Sequence, residues 1–376
     1  MSTKEKKSLF DSVAGTFGFT GNKGKDRPKL PSDAQSWTSL NSFTSDEVSS
    51  PSTASSNSLV DPDKLSDEDV HRQFELMLDE LNLKEDNKRP LLNFDISRKR
   101  KFMKQNIARI ADERQKGGSP EYYCVEINGW IESVSSTTSR NRLYTVLESL
   151  RVQLNTQTIS WMKDFGARGL SILLDLLNKI SDIINLKSSD DLALKLQYEC
   201  IKCIRAFTDN QYGVGEFFRK PSAFRILVKS LNMHNAGAMI ESLKLLAAFS
   251  AINYSELDGH QRVLEALTEV GELLGRDRFL PIVMALYDEE NPQLQHAALL
   301  VVNVLCDTSE VEFSVHLRNE FMRTGISDIY ESLKASPSSE VKQQMVVFDE
   351  RSEDDFFQLG QKFDLVKAEF EYPFLL

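Results

Sequence analysis

The chain has 376 residues, 41% of them hydrophobic, and a formal net charge of −11 at pH 7. This length holds one extended repeat array or two ordinary domains with non-globular flanks. The acidic balance argues against nucleic-acid binding, and no apolar run approaches the roughly 20 residues that cross a bilayer, so we expect a soluble intracellular protein.

The first 29 residues form a basic arm. It has seven basic and three acidic residues, and five bulky apolar side chains lie among them: Leu9, Phe10, Val13, Phe17 and Phe19. The arm is either a solvated tail or a contact for anionic lipid, since each Lys or Arg near such a surface contributes about 1 kcal/mol. Residues 30–63 are rich in Ser, Thr, Pro and Asp, which predicts a linker without a packed core.

The first predicted helix begins at Ser66 and ends near Asn82. Ser66 and Asp69 have the spacing of an N-cap pair, which supplies an acceptor for a free amide of the first turn. Apolar residues then recur at helical spacing on one face: Val70, Phe74, Met77, Leu78 and Leu81. Pro90 predicts a break after this amphipathic helix.

A second amphipathic helix is predicted from Asp95 to Gln115. It opens with four basic residues at 98–101, which include Arg100 and Lys101. A basic cluster on a helix is commonly a solvated face, but it is also a surface that an acidic partner would contact. Glycines at 117–118 end the helix.

From Arg140 onward the pattern is helical almost without pause, and only Gln344 to Phe348 has strand-like alternation. Three related stretches recur, with Phe207, Phe249 and Leu305 at equivalent positions: CIRAFTDN at 203–210, LLAAFSAI at 245–252 and VVNVLCDT at 301–308. The first two begin 42 residues apart, and an insertion at 253–277 lengthens the next interval to 56. A helical period of about 40–47 residues is the armadillo or HEAT signature. We therefore expect an all-α superhelix with a concave face for an extended or helical partner.

The stretch from Ala236 to Ile252 predicts a helix with two apolar faces. Bulky residues and small alanines recur side by side at helical spacing. Either neighbouring helices bury this helix on all sides, or its alanines leave room for a partner helix. The repetition of the pattern favours the second interpretation, in which Ala248 faces an open groove.

No catalytic motif is recognisable. The P-loop, nucleophile-elbow and HExxH patterns are absent, and the five histidines have no ligand spacing. Cys200 and Cys203 form one CxxC, which inside a helix favours a core position over a zinc or redox site. Asp354 and Asp355 form an acidic pair that lacks the loop glycine of an EF-hand. We expect a cytoplasmic binding module without a cofactor, rather than an enzyme.

The segment SDEDVHRQFELMLDELNL with the following Pro90-Leu91, and a series of later blocks, resemble the N-terminal regulatory region of diaphanous-related formins. LFDSVAGTFG is similar to the family's extreme N-terminus, and the later blocks are similar to its armadillo-repeat inhibitory (FH3) domain: LESLRVQL, ISWMKDFGARGLSILLDLL, CIRAFTDNQYG, LKLLAAF, RVLEALTEV, FSVHLRNEFMRTGI and VFDERSEDDFF. The implied organisation is a disordered basic arm and Ser-rich linker at 1–65, a helical GTPase-binding segment at 66–130 and the armadillo-repeat inhibitory domain at 131–376.

The resemblance implies a module that controls actin nucleation and elongation at the cytoskeleton and cell cortex and contacts actin only indirectly. A Rho-family GTPase in its GTP form binds across the GTPase-binding segment and first repeat. It displaces an autoinhibitory helix supplied by the formin's own C-terminal end. The chain contains no actin-binding half and no such helix, so we expect a fragment or a short product that acts in trans. The alternative is an armadillo-type scaffold that binds another helical peptide without nucleotide-dependent GTPase recognition.

The resemblance also implies site residues. For the GTPase they are Val152 and a polar turn of Asn155, Thr156 and Gln157, to which we add the basic Arg100 and Lys101. For the autoinhibitory helix they are Arg205, Asp209, Ala248, Ala251, Ile252, Leu300 and Asn303. An acidic patch for basic residues beside that helix comprises Glu350, Glu353 and Asp354. Asp209 replaces the family's Asn and Ala251 its Ile, so charge and apolar area differ there.

Overall fold

The computed structural model describes residues 62–80, 85–115, 118–132, 137–186, 190–254 and 257–371. These residues form two compact units. The first unit contains the described residues up to Tyr122 together with 156–164, and the second contains 123–155 and the residues from 165 onward. The basic arm at 1–29 and the Ser-rich linker up to residue 61 lie outside the described residues.

The first unit has a small core of its own. A 3-10 turn at Pro62–Lys64 precedes three helices: α1 (Asp67–Glu80), α2 (Glu85–Leu92) and α3 (Ile96–Gln115). The Ser66 hydroxyl accepts from the amide of Asp69 at 3.2 Å and donates to its carboxylate at 2.7 Å, which confirms the predicted cap pair. α1 packs on α3, and their core residues are buried: Val70, Phe74, Leu78 and Met103.

The remaining helices lie mostly in the second unit. In chain order they are α4 (Pro120–Glu132), α5 (Thr137–Thr156), α6 (Ile159–Leu186), α7 (Asp191–Phe207), α8 (Gln211–Phe218), α9 (Pro221–Lys229), α10 (Ala236–Ser250), α11 (Gly259–Leu274), α12 (Leu280–Leu286), α13 (Pro292–Leu305), α14 (Val311–Phe321), α15 (Ser327–Ala335) and α16 (Ser339–Glu371). A short antiparallel pair, β1 (Asn253–Tyr254) and β2 (Leu257–Asp258), precedes α11. A π turn at Met322–Ile326 joins α14 to α15.

Every third helix of the second unit belongs to one continuous layer, in which α7 packs on α10, α10 on α13 and α13 on α16. Phe207, Phe249 and Leu305 lie at or near the ends of the first three helices and are fully buried, which confirms the predicted repeat register. Asn235 and Asn291 cap α10 and α13 in the same way, each side chain accepting from the amide three residues on. The fold is therefore all-α and of the armadillo-repeat type.

Glycine is required at the kink in α6. Gly166 has φ 45° and ψ −149°, a left-handed conformation that side chains with a Cβ rarely adopt. A Cβ there would also lie 3.0 Å from the Tyr212 hydroxyl. α6 therefore consists of two helical pieces that change direction at this residue.

Two local predictions differ from the structure, and one element was not predicted. α2 continues through Pro90 to Leu92, because Leu91 and Leu92 pack on the core of the first unit and hold the last turn. Gln344 to Phe348 is helical within α16. The β1–β2 pair was not predicted, because two-residue strands are too short to produce visible alternation. Among the described residues, no helix is both long and apolar enough to cross a membrane.

Candidate functional site

One face of the α7–α10–α13 layer contains most of the residues predicted to contact an autoinhibitory helix. On each helix, positions three or four residues apart share one side of the layer, and most of the side chains there are at least partly exposed, whereas Ala248, Leu300 and Asn303 are buried. We call this side the central face; its residues are Tyr198, Lys202, Arg205 and Asp209 of α7 and the turn after it, Glu241, Lys244, Ala248 and Ala251 of α10 and the residue after it, and His296, Leu300 and Asn303 of α13.

One ion pair connects α7 to α10 across the central face. The Arg205 guanidinium of α7 pairs with Glu241 of α10, and the Lys244 ammonium lies 3.7 Å from the same carboxylate. Two cations therefore share one acid. Any partner that reaches Arg205 has to bind beside an ion pair that already exists.

Ala248 is only 1% exposed within the chain itself. Leu300 and Asn303 are buried as well, while Ala251 and Ile252 are half-buried and Asp209 is exposed. The expectation that Ala248 faces an open groove is wrong, because α10 is packed by α7, α11 and α13. The interpretation in which neighbouring helices bury this helix describes it better.

Asn303 has an unsatisfied acceptor. Its Nδ2 donates to the backbone oxygen and the Oε1 of Gln344, both at 2.9 Å. Its Oδ1 is buried and has no hydrogen-bond partner within the part of the chain that the structure describes. The amide cannot be flipped without turning an acceptor toward the Gln344 carbonyl, so the orientation is well defined. A buried unpaired acceptor costs about 1–3 kcal/mol, which a donor from a bound partner would remove.

His296 lies on the central face near Lys244 and Glu340. Burial lowers the pKa of His296, and the Lys244 charge lowers it further, while Glu340 acts in the opposite direction. The imidazole is therefore neutral at pH 7. Sequence reasoning missed this residue, because a lone histidine in a helix has no motif.

The predicted acidic patch is present on α16, where Glu350, Glu353 and Asp354 are all exposed. Their spacing of three and four residues puts them on one side of the helix. Asp355 differs, since it is buried, pairs with Arg318 at 2.9 Å and accepts from the Ser314 hydroxyl. Asp354 and Asp355 therefore do not act together, and the described residues contain no cluster with metal-binding geometry.

The end of α5 contains the predicted GTPase contacts. Val152 is 49% exposed, and Asn155 is exposed with its Nδ2 donating to the Arg151 carbonyl at 2.8 Å. Asn155 and Thr156 belong to the last turn of α5 rather than to a loop, because the helix continues to Thr156. Gln157 is buried, so only the first part of the predicted polar turn is accessible.

Arg151 connects α5 to α7. Its Nε donates to Glu199 at 3.0 Å, and Lys202 lies 2.5 Å from the other oxygen of that buried carboxylate. The hydrogen bond to Glu199 raises the pKa of Arg151 despite partial burial. These contacts fix the backbone beside Val152.

In the basic helix α3, Arg100 forms hydrogen bonds to other residues of the first unit. Its guanidinium donates to the Leu65 carbonyl and to Asp67, each at 2.8 Å, and to the Pro62 carbonyl. Lys101 is exposed. Of the two predicted basic contacts, Arg100 has a structural role and Lys101 is the accessible one.

Cys200 and Cys203 are fully buried in α7, as predicted. Their thiols donate to the carbonyls of Leu173 and Leu147, each at 3.3 Å. Burial raises the pKa of both thiols. They are core residues with little thiolate character.

Comparison with known proteins gives consistent results. The profile described as Diaphanous GTPase-binding Domain matches residues 62–251, and the profile described as Diaphanous FH3 Domain matches 260–373. Over 308 residues the chain is 32% identical to human protein diaphanous homolog 2, covering 82% of this chain and 28% of that protein. Over 353 residues it is 33% identical to rat protein diaphanous homolog 3, covering 92% of this chain and 28% of that protein.

The chain thus spans less than a third of the length of these relatives. A solved structure of E. histolytica Formin1 bound to EhRho1-GTPgammaS has the same fold, with a TM-score of 0.58 at 16% identity. The match covers 78% of this chain and 99% of that one. On the two profile matches, which together extend over most of the described residues, the chain belongs to the diaphanous-related formin family and carries its GTPase-binding and FH3 domains.

Proposed function

We propose that the chain is a regulatory binding module that recognises a Rho-family GTPase in its GTP form and an autoinhibitory helix from a formin's C-terminal end. The observation that carries the GTPase half is the exposed Val152 inside the matched GTPase-binding domain. The module controls actin nucleation and elongation at the cytoskeleton and cell cortex without contacting actin directly. It has no proposed catalytic role.

The end of α5 has the composition of an interface anchor. An exposed apolar side chain, Val152, lies beside the exposed polar Asn155 on a helix that the Arg151–Glu199 pair holds in place. Interfaces commonly combine a desolvated apolar centre with a polar rim. Lys101 of the first unit stays a prediction as a further contact, and so does lipid contact by the arm at 1–29.

Two features of the central face and one of α16 support the helix half of the proposal. Ala251 is small and half-buried, so a partner backbone can approach it closely. The Asn303 Oδ1 offers a buried acceptor to an incoming donor. The acidic patch of Glu350, Glu353 and Asp354 on α16 offers charge to basic residues flanking the partner.

The GTPase half is tested by measuring the affinity of the full chain for a Rho-family protein loaded with a GTP analogue or with GDP. We expect binding of the first form at least about tenfold tighter, equivalent to 1.4 kcal/mol. Equal affinity for both forms, or none for either, would favour the scaffold that binds another helical peptide.

The helix half is tested with a fluorescent peptide of the diaphanous C-terminal inhibitory segment. We expect saturable binding that the GTP-loaded GTPase reduces, because the two ligands are proposed to displace each other. A peptide of the same composition in scrambled order is the control. Equal binding of both peptides would contradict the proposal.

A further inference from the structure

A pocket of about 420 Å³ lies away from the central face. It opens where the ends of α6, α9 and α11 approach the beginnings of α10 and α12, and all of its lining residues belong to the second unit. None of them belongs to the central face or to the end of α5. Its volume is that of an ordinary ligand site, between about 300 and 1,000 Å³.

The lining of the pocket includes a half-buried cation, Arg276. Arg276 has no ion pair among the described residues, and burial lowers its pKa. Lys229, the other strong cation of the lining, is already paired with Asp182 at 2.6 Å. No lining residue is acidic. A carboxylate from an occupant would therefore gain a charge-assisted hydrogen bond with Arg276.

The lining also contains the polar Asn185, Asn232 and His234 and a set of apolar side chains, part of which is accessible. Met233, Leu274 and Met284 line the pocket and are large exposed apolar side chains. Methionine adapts its shape to different apolar partners. The matching occupant is a peptide in which one carboxylate is flanked by bulky apolar side chains.

The chain's own N-terminal arm contains such a segment. From Ser8 to Asn22, Asp11 is the only charged residue, and its neighbours are apolar: Leu9, Phe10, Val13, Phe17 and Phe19. Residues 20–61 separate the segment from the first described residue, and a chain of that length spans up to about 140 Å when extended. We propose that the segment from Leu9 to Phe19 docks in this pocket, with the Asp11 carboxylate on Arg276 and Phe10 against Met233 and Met284.

Photo-crosslinking of the full chain tests this contact. Phe10 is replaced by p-benzoylphenylalanine, whose excited ketone inserts into nearby C–H bonds and leaves no by-product. Cross-linked peptides are then mapped by mass spectrometry. We expect products at Met233 or Met284 within one chain. The same replacement at Phe43, in the Ser-rich linker, is the positional control and should give no product there.

Charge exchange supplies the specificity test. Arg276→Glu and Asp11→Lys should each lower the yield at the pocket at least about threefold, because like charges then face each other. The double variant Arg276→Glu/Asp11→Lys should restore it. Arg262→Glu, a half-buried arginine on α11 outside the pocket, is the matched control and should leave the yield unchanged.

The outcomes separate the possible occupants. Products between two chains, seen as a dimer band that grows with concentration, would show that a second copy takes the place of the cis segment. Products outside the pocket, no product, or a double variant that stays low would each overturn the proposal. None of these readouts depends on GTPase or helix binding.

Discussion

The central face and the end of α5 present their proposed contacts in opposite ways. On the central face Ala248, Leu300 and Asn303 are buried before any partner arrives, whereas Val152 on α5 is 49% exposed. A residue of the first kind supports the fold and the binding surface together. A residue of the second kind contributes to binding with little effect on folding. The following substitutions test that distinction, from the largest expected effect to the smallest.

Ala248→Asp should lower the free energy of unfolding by about 3 kcal/mol or more, because it puts a carboxylate into a fully packed position. Chemical denaturation measures the loss. The matched control is Ala251→Asp, one turn further on the same face and half-buried, which should weaken helix binding with little loss of stability. An unchanged midpoint for Ala248→Asp would mean that Ala248 faces open space after all.

Glu199→Gln should cost about 2 kcal/mol of stability, because Arg151 and Lys202 lose the carboxylate they share but can both turn toward solvent. Thermal unfolding measures it. The matched control is Glu265→Gln, which removes an exposed carboxylate of α11 and should change the stability little. If both variants behave alike, the connection between α5 and α7 does not stabilise the second unit.

Val152→Asp should weaken binding of the GTP-loaded GTPase at least about tenfold, or 1.4 kcal/mol, while the melting temperature changes little. The matched control is Val346→Asp, since Val346 is 52% exposed and lies outside the matched GTPase-binding domain. Calorimetric titration of both variants gives the comparison. Unfolding of the Val152 variant would remove the distinction between the two regions.

We expect the smallest effect from His296→Gln, in the dependence of stability on pH. Burial and Lys244 lower the pKa of His296 in the folded chain, so the unfolded chain binds more protons as the pH falls below the usual histidine value of about 6.5. Its contribution to stability is complete above that pH and is lost progressively below it. Chemical denaturation between pH 7.5 and 5.5 should show that the free energy of unfolding falls less steeply with decreasing pH for His296→Gln than for the wild type. Identical declines would indicate a solvent-like imidazole.

The repeat register could be predicted because Phe207, Phe249 and Leu305 recur in similar blocks and buried positions depend on spacing alone. The environment of Ala248 could not be predicted from the sequence, since a small residue is equally suited to close packing of neighbouring repeats and to contact with an external helix. The unpaired Asn303 Oδ1 could not be foreseen either, because the amide is oriented by the hydrogen bonds from its Nδ2 to Gln344, which is 41 residues away.

The candidate sites also contain features that the sequence predicts and features that depend on tertiary packing. Exposure of Val152 agrees with its predicted place near a helix end, but the burial of Gln157 depends on packing that its polarity does not reveal. Arg100 and Lys101 are adjacent and chemically similar, yet only Arg100 meets the carbonyls of Pro62 and Leu65. Arg276 belongs to no sequence motif, and its half-buried position depends on the pocket that the surrounding helices form.

The burial of the cysteines has a practical consequence for spectroscopy. All four thiols of the chain, at Cys124, Cys200, Cys203 and Cys306, are buried, so a maleimide dye would have no accessible native target. A single introduced cysteine would then be labelled selectively in an otherwise wild-type background. Asn155→Cys at the end of α5 and Glu350→Cys on α16 would report, as separate fluorescence changes, on the arrival of each partner.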